Sequence, residues 1–319
     1  MHAAMRFAFV MDPLERLVPD KDTTCGFIHA ALERGHECLH MLISDIEREA
    51  GAERAAVTAM ARPIVRDGST FAALATSRVE LGEADVVFVR KDPPFDAAYG
   101  YATQLLEGLR GTTLVVNDPR GLRDANEKLY ALEFPRWTPR TLVTSSRERI
   151  HAFVAEVGGR AVIKPLSGAG GFGVMAVRDG DTNARAIVDF LTLEGQQLVE
   201  IQEFLPAVAE GDKRVIVLDG EPLGAILRVP AKGELRANIH VGGSVEPTEL
   251  TPRELELVRD VGARLKQDGL YFVGLDLIGG HLTEVNVTSP TGIRELSRFL
   301  GRDASADVIA WAERKVVRG

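Results

Sequence analysis

Asp276, Glu284 and Asn286 stand in two strongly apolar runs, Tyr271–Ile278 and Leu282–Val287. A carboxylate buried in such surroundings is costly unless a cation or hydrogen-bond donors meet it, so these side chains point to a ligand. Glu284 and Asn286 are two residues apart and share one face of a strand. Asp276 joins that face if Gly279–His281 forms a three-residue hairpin loop, which sets it opposite Glu284. A two-residue turn on the glycines would send it to the other face. The three-residue loop is the expectation. Converging oxygen donors of this kind suit Mg2+, a hard cation that favours carboxylate, carbonyl, phosphate and water ligands.

A second constellation precedes it. Gly168-Ala-Gly170-Gly171-Phe-Gly173 fits G-x-G-x-x-G, but the residues that follow, Val174–Val177, alternate like a strand, whereas a dinucleotide fingerprint opens a helix. No GxxxxGK[ST] run occurs either. A glycine loop between two strands can still hold phosphates on its backbone amides, and Gly170 and Gly171 are the candidates. Lys164, at the end of the apolar run Ala161–Lys164, is placed to neutralise nucleotide phosphates as a point charge.

The elements that must position these groups read as α/β. Arg6–Met11, Val86–Arg90 and Leu114–Asn117 are apolar runs ending in polar residues, as parallel strands do where their carboxyl ends face a ligand crevice. Helices are expected over Thr23–Arg34, with Gly35 as its C-cap, and over Asp118–Glu133, Ser146–Val157, Ala184–Leu193 and Pro252–Gln267. Trp137-Thr138-Pro139 reads as a linker. β-runs dominate after Asp212, and residues 45–77, rich in Ala and Arg, show no placeable periodicity.

At 319 residues, the chain has room for two or three units. Its net charge of −8, without a basic cluster, argues against a nucleic-acid partner. No stretch of about 18 apolar residues suggests a membrane span, and the N-terminal apolar stretch is too short for a secretory signal, so a cytoplasmic protein is expected. Cys25 and Cys38 form no CxxC pair, and the histidines show no ligand-like spacing beyond His36 and His40.

Longer runs carry a family. Arg90-Lys-Asp-Pro-Pro-Phe-Asp96, Asn117, Asn126-Glu-Lys128, Ile163-Lys-Pro165, Gly211-Asp-Lys-Arg214, Phe272-Val-Gly-Leu-Asp276 and Thr283-Glu-Val-Asn-Val-Thr-Ser-Pro-Thr291 together resemble the bacterial glutathione synthetases, almost end to end. The resemblance implies an ATP-grasp fold, α/β with an α+β lid. A pre-ATP-grasp parallel-sheet domain would cover 1–122, a small lid domain 123–203 and a C-terminal catalytic domain 204–319. It implies ligation of γ-glutamylcysteine to glycine with ATP, and a homotetramer. Lys128 and Lys164 would bind ATP phosphates or adenine-side groups. Gln202, Glu203, Phe204 and Leu205 would form the adenine hinge, and Asp212 would also serve the nucleotide. Asp276, Glu284 and Asn286 would hold two Mg2+, with Mn2+ as a substitute. Arg214, Arg228 and Arg236 would face the acyl phosphate. Asp12, Arg90, Lys91, Ser289 and Thr291 would meet the peptide substrate.

The chemistry suits that residue set. A carboxylate is a poor electrophile, and its activation by phosphoryl transfer needs charge neutralisation and in-line positioning rather than a protein nucleophile. Cys25 is therefore expected to be dispensable. Pro230–Gly243 has the charge and glycines of a loop that closes over a water-sensitive intermediate. Two alternatives stay open: a ligase for another acceptor amine or dipeptide, and a non-catalytic nucleotide- or peptide-binding sensor on the same fold.

Overall fold

The computed structural model describes residues 4–51, 56–68, 70–168, 170–230 and 243–318. Its first sheet holds β1 (Arg6–Met11), β2 (Glu37–Met41), β3 (Ile46–Glu49), β4 (Ala56–Asp67), β5 (Thr70–Ala73), β6 (Ser77–Glu80), β7 (Val86–Arg90) and β8 (Leu114–Val116). The central order β2-β1-β7-β8 is parallel throughout. β1 is apolar on both faces because both are covered, as parallel strands require. Phe7, Phe9 and Met11 face one hydrophobic cluster, and Ala8 and Val10 face the other.

The segment 45–77 resolves into antiparallel strands, with β4 pairing β2, β3, β5 and β6. Val57, Ala59 and Ala61 alternate inward, so small alanines carry the inward face. The second sheet, in the order β11-β10-β12-β9, comprises β9 (Thr141–Thr144), β10 (Arg160–Pro165), β11 (Met175–Arg178) and β12 (Val199–Glu203). The third, in the order β15-β14-β13-β16-β17, comprises β13 (Asp212–Leu218), β14 (Glu221–Val229), β15 (Ser244–Pro247), β16 (Phe272–Ile278) and β17 (His281–Asn286).

The helices are α1 (Thr23–Glu33), α2 (Ala97–Leu106), α3 (Pro119–Asp124), α4 (Arg147–Glu156), α5 (Ala184–Leu191), α6 (Pro252–Gln267), α7 (Ile293–Leu300) and α8 (Ala304–Arg318). Gly35 follows α1 at φ +83°, as a C-cap glycine does. The helix expected over Asp118–Glu133 is in fact broken. α3 stops at Asp124, and a 3-10 turn covers Leu129–Glu133. Asn126 causes the restart, since its Oδ1 accepts from Lys128 N and Leu129 N, each at 3.1 Å. The expected linker is also more than a linker. Trp137 is buried, and its carbonyl accepts from Leu282 N at 2.9 Å along the edge of β17.

Two ties join distant segments. Asn117 Nδ2 donates to Phe272 O (2.9 Å) and Val287 O (2.7 Å), while its Oδ1 accepts from Phe272 N (2.8 Å), clipping the first sheet to the third. Glu313 of α8 accepts from Arg34 Nε and Nη2, both at 2.6 Å, and sits 2.6 Å from His36 Nε2. His36 Nδ1 in turn accepts from Met5 N at 3.2 Å. The Arg34 hydrogen bonds lower the Glu313 carboxyl from 4.5 to about 2; burial opposes the shift and His36 assists it. A lowered carboxyl stabilises the fold above its unfolded value and loses that contribution as pH falls through the folded one. The gap in urea midpoint between wild type and Glu313→Gln is therefore expected to hold at neutral pH and to close between pH 4.5 and about 2. A gap that does not shrink over that window would remove Glu313 as the acid-sensitive tie.

Candidate active site

The second and third sheets face each other across a cleft lined by Lys128, Lys164, Phe204, Asp212, Asp276 and Glu284, among others. Lys164 lies opposite Glu200 in the β10–β12 register. Its ammonium donates to Glu200 Oε1 at 2.8 Å and Gln202 Oε1 at 2.9 Å. Lys128 Nζ donates to Gly168 O at 2.7 Å and Glu284 Oε1 at 3.0 Å. Burial works against the Lys128 charge, but Glu284, with Glu127 and Glu200 adding to it, outweighs burial and raises the ammonium pKa. Both lysines are thus held at the cleft by carboxylates.

The glycine loop has two requirements. A Cβ at Gly168 or Gly173 would lie 2.9 or 2.8 Å from Pro165 Cγ, which bars a side chain at either, and Gly173 also stands at φ +70°. Gly170 and Gly171 adopt φ +61° and +77°, the left-handed region that glycine enters without strain. Ala169 lies outside the described residues. Gln202–Leu205 continues from β12 along the cleft. The Glu203 and Phe204 amides donate to Arg140 O (2.8 Å) and Arg160 O (3.3 Å), leaving the Leu205 amide, among the described residues, without an acceptor.

Asp276 sits at the centre of a balanced, buried charge cluster. Arg214 donates to it through Nε (2.5 Å) and Nη2 (3.1 Å), and Arg228 Nη2 lies 2.9 Å away. Arg228 also grips Asp212 through Nε to Oδ1 (2.9 Å) and Nη2 to Oδ2 (2.6 Å). Burial resists ionisation of Asp276, yet the two guanidiniums outweigh it and hold the carboxyl well below the ordinary range. Asp212 is pushed up to about 6, by burial and then by Asp276, against the pull of Arg228.

Asp276 does pair with Glu284 across the β16–β17 ladder, so Asp276, Glu284 and Asn286 share a face, but the expected three-residue loop is wrong. Ile278 pairs with His281 around a two-residue turn at Gly279 (φ +57°) and Gly280 (φ +74°). A bulge between Asp276 and Leu277 then shifts the register and restores the shared face. The donor set fits a hard cation. Asn286 Nδ2 donates to Gly274 O and Asp276 Oδ2, both at 3.2 Å, which leaves its Oδ1 without a partner among the described residues. No group of three His, Cys, Asp or Glu side chains suited to a metal occurs among the described residues. Two carboxylates and an amide would need phosphate oxygens to complete a shell.

The remaining candidates are not among the residues that line the cleft. Asp12 and Lys91 form an ion pair at 3.1 Å. Arg90 is buried, lies 5.6 and 5.5 Å from the Phe27 and Phe272 ring centroids, and donates to Thr24 Oγ1 (3.1 Å) and Pro290 O (2.9 Å). It has no carboxylate partner among the described residues. Ser289 and Thr291 occupy the turn that Arg90 grips, and Arg214 Nη1 donates to Thr291 O at 3.1 Å. Arg236 and most of the expected closing loop, 231–242, lie outside the described residues. Two contributors were missed by sequence reasoning. Glu200 alternates with Gln202 on β12, which was a usable signal. Glu127 is flanked by Asn126 and Lys128 and accepts from Val287 N (3.0 Å), Thr288 N (3.1 Å) and Thr288 Oγ1 (2.8 Å) on one oxygen. Burial and then the Glu284 charge raise its carboxyl pKa.

A glycine loop and Lys164 on one sheet, with Lys128 beside them, facing carboxylates on another, define the ATP-grasp ligase class. Solved structures share the fold. The ATP-grasp ligase PsnB, complexed with a phosphomimetic precursor variant, Mg and ADP, aligns with TM-score 0.63 at 19% identity over 99% of each chain. D-cycloserine synthetase DcsG aligns with TM-score 0.66 at 16% identity, covering 97% of this chain and 99% of the other. Within that class, the family models for the prokaryotic glutathione synthetase N-terminal domain and ATP-grasp domain match residues 5–123 and 127–301. Glutathione synthetase of Synechocystis sp. is 45% identical over 98% of this chain and all of its own length, and that of Vibrio vulnificus is 40% identical over 98% of each. The chain belongs to the prokaryotic glutathione synthetase family.

Proposed function

We propose that this protein joins γ-glutamylcysteine to glycine at the expense of ATP, giving glutathione, ADP and phosphate. The observation that carries the reading is the convergence of Lys128, Lys164, Asp276 and Glu284 on one cleft, with Asn286 on the same strand face as the two carboxylates. The Leu205 amide, without an acceptor among the described residues, suits an adenine nitrogen. Lys128 and Lys164 face the phosphates, exchanging carboxylate partners for phosphate oxygens. Asp276, Glu284 and Asn286 would hold two Mg2+, or Mn2+ in their place; when bound, these ions supply charge neutralisation for the phosphates.

The γ-phosphoryl group moves to an oxygen of the cysteinyl carboxylate, giving an acyl phosphate and ADP. The glycine amine, having lost a proton, attacks the carbonyl carbon; the C–O bond to phosphate breaks, and phosphate leaves. Arg214 and Arg228, fixed by Asp276 and Asp212, supply preorganised positive charge beside the reacting groups. The same reading makes the protein a cytoplasmic homotetramer. No helix among the described residues is long and apolar enough to cross a membrane.

The test is phosphate release from Mg-ATP and γ-glutamylcysteine, with and without glycine, with the product read by mass. Release that depends on glycine, with a product of glutathione mass, is expected. Release with another amine instead would keep the ligase and change its acceptor, and none with any amine would point to a binding protein.

A further inference from the structure

The turn Thr288–Thr291 is gripped by charged side chains from three separate parts of the chain. Arg90, at the end of β7, donates to Pro290 O, and Arg214, on β13, donates to Thr291 O. Glu127, in the break between α3 and the 3-10 turn, takes Val287 N, Thr288 N and Thr288 Oγ1 on its Oε1. Carboxylates bonded to several N–H and O–H donors form the stronger, charge-assisted kind of hydrogen bond. The turn is thus clamped at its backbone and at the Thr288 hydroxyl, while the Ser289 and Thr291 hydroxyls have no partner among the described residues.

The neighbours of Glu127 face the nucleotide side. Asn126 Nδ2 donates to Leu166 O at 3.3 Å, and Lys128 Nζ donates to Gly168 O and Glu284. The Glu127 carbonyl also accepts from Val285 N at 2.9 Å, a bond that any side chain at this position would keep. Three consecutive residues therefore touch the glycine loop, the metal-type strand and the hydroxyl-bearing turn.

We propose that Glu127 is a positioning residue that sets the Thr288–Thr291 turn for the peptide donor. This rests on the ligase reading above. The ammonium of Lys128 is bonded to Glu284 rather than to Glu127, so the carboxylate of Glu127 is not its hydrogen-bonded counter-ion.

The experiment compares Glu127→Ala, Glu127→Gln and Thr288→Val with wild type. It reads KM for γ-glutamylcysteine and for Mg-ATP, together with the melting shift that each induces. Loss of the clamp in Glu127→Ala is expected to raise the dipeptide KM by about tenfold and leave the ATP KM within about twofold. Glu127→Gln keeps an acceptor oxygen and is expected to restore most of the difference. Thr288→Val removes one donor and should move the dipeptide KM alone, by a smaller factor; it carries the test if Glu127→Ala does not fold. Equal rises in both KM values, no change in either, or failure of Glu127→Gln to rescue would overturn the positioning role. Wild type without dipeptide-dependent turnover or melting shift would strike the ligase reading itself.

Discussion

Asp276→Asn is expected to abolish ligation and to cost the fold about 3–5 kcal/mol, the usual penalty for leaving a buried charge unpaired. Two guanidiniums and two carboxylates balance in this cluster, and Arg214, Arg228, Asp212 and Asp276 are all buried. Asp276 is the carboxylate that both arginines share. Its loss strands Arg214, whose remaining described contact is the neutral carbonyl of Thr291. Asp212→Asn should cost less, because Arg228 would keep Asp276 at 2.9 Å. Urea midpoints and phosphate release would be measured on both variants. An Asp276→Asn protein as stable as wild type would show that the arginines do not depend on this carboxylate.

Glu284→Gln is expected to weigh more on activity than on stability. Glu284 is 26% exposed, but Lys128 is 4% exposed and keeps Gly168 O as its other partner. The stability cost should be about 1–3 kcal/mol, below that of Asp276→Asn because the Gln amide oxygen can still accept from the ammonium. Ligation should fall by about 10²–10³-fold, the scale on which removing one preorganised charge from a reacting centre is felt. ATP turnover equal to wild type would remove Glu284 from the reaction centre altogether.

Much of this site was legible because its chemistry is unusual for its setting. Carboxylates inside apolar runs, and a lysine ending an apolar strand beside glycines, are visible without coordinates. The turn at Gly279–Gly280 was not. Its length and the bulge beside Asp276 make opposite one-residue errors, which cancel in the face they predict. A bulge is a choice of hydrogen-bond partners between strands, and nothing in the alternation of one strand reports it. The break at Asn126 was hidden for a related reason: an Asn side chain competing for backbone amides looks the same in sequence as one on a helix surface. β4 escaped notice because alanine, which favours helices, fills its inward positions. Glu127 acts through partners distant in sequence, so its type alone carried no signal, whereas the alternation of Glu200 with Gln202 on β12 was readable.

The hydrophobic cluster on the Phe7 and Phe9 face of β1 also contains Ala304, Val308, Ile309 and Trp311 of α8. Glu313, Arg34 and His36 seal the same junction. During synthesis, domains ordinarily fold in order from the N-terminus as they emerge. α1, through Phe27, Ile28, Ala30 and Ala31, packs on this face early, but α8 leaves the ribosome some three hundred residues after β1. The opening sheet can be half-roofed as it emerges, and its second cover arrives only when α8 has been made.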